Sequence, residues 1–422
     1  MRTNVQQCSF RTGAKGFSMR SHLLVALAAS FAAINCSSSQ QGAGNVGVDA
    51  GPVAGADAGS SGGTDGGGGG GGGSVDAGSG GGTASDCDGV VPAQSGTSFT
   101  FDVPVESSAP ESCDSATADE SGNVAVGYGP GGNPPEERIW HLYDSNGAHQ
   151  ARFSAFDLFP QGPGYEGLFA GSGAPQAVIA AYWTPDGKRT TGPVVGGDST
   201  PGAFRAWPNG MLTATLRCGY LPPVTGTYTL HRFDASLNEV AHGTASFACV
   251  PVAGAVAEAN GNWLLVVSGP ATTENGFAAD DLVGYWFDSQ GKALTGWFRI
   301  GPGGGKGHAY LIHALIGGGA AVRIDGVWTY FIPSGKAEAQ PAPDFLVENP
   351  QTDFTLVRGA KAYAILPRTG DTTGMKLYSA SGNLCGQLKF PTGGLTTGAD
   401  GSVISSSGNA GCTTTVWPGL LK

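Results

Sequence analysis

The chain has 422 residues, 73 of them glycine, with 13% charged residues and a formal net charge of −11 at pH 7. That balance, with no basic cluster, argues against nucleic acid or an anionic membrane surface as a partner. Much of the glycine lies between Ala43 and Gly82, which leaves about 336 residues from Cys87 onward, enough for one large core.

The first element in chain order is an export leader, residues 1–36. Arg11, Lys15 and Arg20 precede the apolar run from Leu23 to Ile34, which is too short to remain in a bilayer as a span. Met19 offers a compact alternative start. Cys36 closes the run and is followed by Ser37, Ser38 and Ser39.

Residues 37–86 form a linker of Gly, Ser, Ala and Asp, with unbroken glycine from Gly66 to Gly73. It has no apolar periodicity and is expected to be disordered. A Gly/Ser coil of about 50 residues has an r.m.s. span of roughly 40 Å, enough to hold a domain off a surface.

From residue 87 the chain is β-rich. An orphan strand, Thr97 to Pro104, alternates apolar and polar residues. Six hairpin signals follow, each an aromatic with a turn residue four places on. The aromatics are Tyr143, Trp183, Phe233, Phe287, Phe331 and Tyr378, spaced 40, 50, 54, 44 and 47 residues apart. The turn residues are Gly147, Gly187, Leu237, Gly291, Gly335 and Gly382. Glycine suits the positive φ of such a turn, and Asp144, Asp234 and Asp288 are placed to cap it. A second set of turns, at Gly122, Gly210, Gly261, Gly359 and Gly401, lies 16 to 26 residues ahead of the next aromatic, Trp417 being the last.

Repeats of this length built from short strands predict a β-propeller with one four-stranded blade per repeat. About 336 residues at this period give seven blades. The seventh reaches Trp417 and lacks its fourth strand, so Thr97 to Pro104 is predicted to complete it and close the ring.

Six cysteines remain after the leader, widely spaced and without a CxxC pair, as suits disulfides in an oxidising compartment rather than zinc. The blade register predicts Cys218–Cys249, Cys113–Cys412 and Cys87–Cys385. Pairing of neighbours, Cys87–Cys113 and Cys385–Cys412, is the rival among 15 possibilities.

Ligand contact is expected on the face carrying the B–C and D–A loops, which are long in several blades. Binding candidates there are the carboxylates Glu274, Asp280, Asp281 and Asp371, with Tyr220 and Phe277 as stacking groups. No metal set, cofactor fingerprint or catalytic motif is found in the globular part. His141, His149, His231 and His242 lie near the aromatic hairpins, and His308 and His313 fall on opposite faces if in a strand.

Cys36 after its apolar run resembles a bacterial lipoprotein signal, with Asn35 standing where that family has Gly, Ala or Ser. The resemblance implies lipidation at Cys36; simple secretion is the alternative. Leader, linker and degenerate repeat together resemble the surface lipoproteins of myxobacteria, in organisation only. The expected function is a monomeric, non-catalytic binding module for a protein or glycan, with membrane contact only through an N-terminal lipid. The alternatives are a propeller glycoside hydrolase or lyase using loop carboxylates, and a structural envelope protein without a ligand.

Overall fold

The computed structural model describes residues 87, 88, 90, 98–104, 113, 115–129, 137–171, 177–196, 202–206, 210–219, 224–269, 276–279, 281–302, 310–333, 338–348, 354–367, 374–388, 394–407 and 412–421. The leader, Cys36 and the linker lie outside them.

Seven four-stranded antiparallel sheets follow one another along the chain. Six are simple meanders, and their strands are lettered A to D from the inside outward. Blade 1 spans 115–155, blade 2 158–196, blade 3 202–248, blade 4 252–302, blade 5 310–341 and blade 6 354–388. Blade 7 takes three strands from 394–417 and its outermost strand from Phe99–Val103. That strand runs antiparallel to Cys412–Trp417, with Phe99 opposite Val416, Phe101 opposite Thr414 and Val103 opposite Cys412. The protein is a seven-bladed β-propeller.

The core is not one mass but a set of layers between blades. Apolar clusters fill all seven seams among the described residues. Strand B of blade 4, Trp263–Ser268, shows the cause: Trp263, Leu265 and Val267 face blade 3, while Leu264 and Val266 face blade 5. A strand covered on both sides needs a continuous apolar run rather than alternation. Trp183, Trp263 and Trp286 are fully buried in such layers and Trp140 nearly so.

The C–D turns follow the sequence pattern. Asp144 Oδ1 accepts the amides of Asn146 (2.9 Å) and Ala148 (2.9 Å), and Asp234 and Asp288 do the same in blades 3 and 4. Gly147, Gly187, Gly291 and Gly382 have φ between 79° and 87°. Leu237 adopts φ 62° in the same place without glycine's freedom. Gly335 lies outside the described residues.

The A–B turns differ from expectation in two respects. Gly359 is not in the left-handed region that Gly122, Gly210, Gly261 and Gly401 occupy. Its constraint is space: a Cβ there would collide with the backbone and side chain of Leu421. Two further turns, at Gly162 in blade 2 and at Gly318 and Gly319 in blade 5, carry positive φ without the sequence signal used for the others.

The three disulfides join Cys87 to Cys385, Cys113 to Cys412 and Cys218 to Cys249, with Cα separations of 5.6, 5.8 and 5.5 Å. The rival pairing of neighbours is thereby set aside. Cys113–Cys412 bolts the lead-in to blade 1 onto the closing blade, and Cys218–Cys249 joins the ends of strands B and D in blade 3.

Candidate functional site

The two ends of the ring are built differently. At one end, short A–B and C–D turns are capped by their own side chains. Besides the aspartates already named, Asp119 accepts the amides of Ser121 (2.8 Å) and Asn123 (3.0 Å), and Glu258 accepts those of Asn260 (3.0 Å) and Asn262 (3.3 Å). Asp400 accepts Ser402 N at 2.9 Å, and Ser379 Oγ accepts Asn383 N at 3.0 Å. Residue type varies while the job is constant: a side-chain oxygen, at the first turn position in most turns and two residues later at Asp400 in blade 7, where Gly398 comes first, satisfies backbone amides the ladder cannot reach.

At the other end the B–C connections are longest in blades 1 and 4, and run to six or seven residues in blades 2, 3 and 6. In blade 5 the same connection is a two-residue turn, Asp325 (φ 49°) and Gly326 (φ 88°), of the kind preferred in tight hairpins. Connection length varies around this end while the opposite end carries only short capped turns, and this end is the candidate ligand face.

Side chains at the feet of these loops are committed to holding them. Glu137 Oε1 accepts Ala170 N at 2.7 Å and so ties the foot of the blade 1 loop to blade 2. Asp281, nominated from the sequence for ligand contact, points inward instead. Its side chain is 3% exposed, receives Arg299 Nη2 at 2.9 Å and accepts Ala278 N at 2.9 Å. A carboxylate removed from water is retained where a cation and an amide both face it, and this one locks the opening of strand C in blade 4. Phe277 is half-buried and meets Phe247 edge-on at 5.6 Å between ring centroids, packed on the seam between blades 3 and 4. Glu274, Asp280, Asp371 and Tyr220 lie outside the described residues, as do His308 and the glycines 303–305 beside it.

Trp297 was not singled out from the sequence. It follows the blade 4 turn, donates its indole N–H to Ser246 O at 2.7 Å across the seam, and lies within 4.7 to 5.9 Å of the Phe247, Tyr285 and Tyr228 rings. Its polar edge grips the neighbouring blade while its face extends the apolar layer. Only its place after a hairpin turn could have marked it out.

Several of the shifted titratable groups are buried ones, whereas Asp186, held down to about 2 by hydrogen bonds from Lys188 and Thr184, is exposed on the blade 2 turn. Glu166 is fully buried where blade 2 meets blade 3, and burial pushes its carboxyl up to about 8 against the pull of the Met211 amide, 3.1 Å from Oε2. Burial holds His313 down at about 4. Asp119 is raised, first by burial and last by the nearby Asp400. Cysteine, carboxylate and imidazole groups do not gather into a set of three suited to a metal ion among the described residues. No helix of the described residues is long and apolar enough to cross a membrane.

No protein-family model and no curated protein matches the chain. Solved structures do match. Streptogramin B lyase is similar at 12% identity and a TM-score of 0.41, over 75% of this chain and 97% of that one. The β-propeller domain of the Trilobed protease from Pyrococcus furiosus is similar at 10% and 0.42, over 70% and 91%. Acylaminoacyl peptidase is similar at 7% and 0.42, over 70% of this chain and 49% of that one. These likenesses concern the fold alone; the blade count rests on the strand topology given above.

Proposed function

We propose that the chain is an exported, surface-displayed binding module that presents the long-loop end of its propeller to a protein or glycan. One observation carries this reading. The start of the described chain is fastened at the tight-turn end: Cys87 is bonded to Cys385 just after the blade 6 C–D turn, and Val90 is buried beside Leu420 and Leu421. A leash arriving there, anchored by a lipid on Cys36 after cleavage of the leader, leaves the opposite end facing outward. The commitment of the described turn and loop-foot carboxylates to backbone amides and to Arg299 favours a stiff rim over acid–base chemistry.

The test is retention of glycans or surface proteins on arrays by the ring immobilised through its N-terminus. A variant whose Gly269–Asp280 connection is replaced by blade 5's own Asp-Gly turn should lose that retention. Equal retention by the shortened variant, or none by the native ring, would sink the reading. Hydrolysis of a glycan panel that disappears on joint replacement of Glu274 and Asp280 would favour the hydrolase instead. For the anchor, Cys36→Ser is expected to abolish fatty-acid labelling and move the protein from the membrane fraction to the medium.

A further inference from the structure

Gln161 ends strand A of blade 2, and Glu166 lies in strand B beside it. Phe159, Glu166 and Tyr182 stand directly opposite one another across strands A, B and C, so they share a face; Gln161, two residues past Phe159, shares it too. That face meets blade 3, where Phe159 and Tyr182 pack on the apolar layer that holds Met211 and Phe233. Gly210 of blade 3 presses on it. Its amide donates to Pro160 O at 2.8 Å, and a Cβ built there would lie 2.9 Å from Gln161 Oε1 and 3.5 Å from Glu166 Oε2. Glu166 Oε2 also accepts Met211 N at 3.1 Å. Glu166 Oε1 and Gln161 Oε1 are both shut off from solvent, and neither has a donor among the described residues. Buried acceptors gathered at one spot repel unless a donor stands between them.

We propose that Glu166 keeps its proton on Oε1 and donates it to Gln161 Oε1, forming a pH-sensitive clasp at the tight-turn end of the seam between blades 2 and 3. One proton then satisfies both oxygens, and Oε2 stays available to the Met211 amide. The carboxyl thereby ties the end of strand A in blade 2 to the start of strand B in blade 3. Burial is the largest influence on this carboxyl and holds it up to about 8; Asp234 of blade 3 raises it further, while the Met211 amide and Arg232 oppose. Tyr182, opposite Glu166 on blade 2, is raised by burial first and then by Asp119, Glu120 and Glu166, so it stays a neutral phenol through this range. Ionisation removes the shared proton and sets a charge against the Gln161 carbonyl. The clasp therefore holds below about 8 and opens as pH rises through that value. It is independent of the loop-end reading.

Carbon NMR of the intact, disulfide-bonded chain labelled at its glutamate carboxyls is the test, with the Glu166 signal assigned by its loss in Glu166→Gln. Its midpoint should lie well above the ordinary 4.5 and fall by about one pH unit in Gln161→Met, which keeps the volume and removes the acceptor. Thr213→Val should leave the midpoint in place; that hydroxyl is the other buried group without a partner among the described residues on the strand face of Met211. A second measurement needs no change at Gln161. Hydrogen exchange of the Gly210 and Met211 amides should be faster in the wild type than in Glu166→Gln by up to about tenfold near pH 9, and equal near pH 6. An unchanged or raised midpoint in Gln161→Met would mean that the amide gives no acceptor and, if raised, that its Nε2–H serves an ionised carboxylate. A midpoint that moves only with Thr213→Val, a midpoint at the ordinary value, or equal exchange near pH 9 would likewise overturn the proposal.

Discussion

Glu166 sits with its whole side chain in the seam between blades 2 and 3, and its Oε1 has no hydrogen-bond donor among the described residues. With its carboxyl raised to about 8 from an ordinary 4.5, the folded chain keeps a proton that the unfolded chain gives up. The contribution to stability is complete below about 4.5 and is lost as pH rises through about 8, at up to about 1.4 kcal/mol per pH unit. Glu166→Gln keeps the shape and removes the titration. Urea denaturation between roughly pH 5 and pH 9 should therefore show the wild type losing stability relative to the variant as pH rises. Parallel curves would mean that Glu166 is already ionised in the fold. Single residues were unevenly legible in the sequence. Asp144, Asp234 and Asp288 declared themselves because a carboxylate after an aromatic has one obvious use. Asp281 did not, since nothing in sequence places Arg299 opposite it.

The hairpin of blade 3 carries the exception among the C–D turns. Leu237 accepts a left-handed backbone, at a cost of about 1–2 kcal/mol, in the position glycine fills elsewhere. In exchange its side chain is buried against Gly192 of blade 2 and joins the layer around Phe233, Met211 and Leu168. Leu237→Ala loses that packing and keeps the backbone strain; Leu237→Gly loses the packing and relieves it. Both are expected to destabilise by roughly 2–5 kcal/mol less any strain relieved, with Ala the worse by about 1 kcal/mol. That order is the reverse of the usual one, and chemical denaturation of the two variants reads it directly. Elements whose turns used Asn or Asp beside glycine were legible. The blade 2 turn at Gly162 and the all-glycine blade 5 turn at Gly318 and Gly319 were not, because glycine alone marks many loops besides hairpins.

At the scale of the molecule, ring closure and cross-links were the most legible features, since both follow from counting strands and asking which side each cysteine ends on. The loop end was the least legible: loop length says where a ligand fits but not which side chains meet it. The two long-range bridges, with sequence separations of 298 and 299, differ in access. Cys113 and Cys412 are 4% and 1% exposed, whereas Cys87 and Cys385 are half-buried. Mild reductant should open Cys87–Cys385 first, as followed by alkylation and peptide mapping. Replacing Cys113 and Cys412 by Ser should cost about 5 kcal/mol in the chain-entropy account. A loss below about 1 kcal/mol would show that the strand pairing holds the ring without its bolt.

The strand Phe99–Val103 is among the first of the globular part to leave the ribosome, and its partner Cys412–Trp417 is among the last. Through almost the whole of synthesis, Phe99–Val103 lacks its partner strand, and only the blade 1 side, where Phe101 meets Tyr143 at 4.1 Å between ring centroids, can receive it. A product halted early exposes a sticky margin on its opening blade and carries an unmated thiol at Cys113. Arrival of the distant partner strand is thus written into the shape, because an open ring and a closed one differ at that margin.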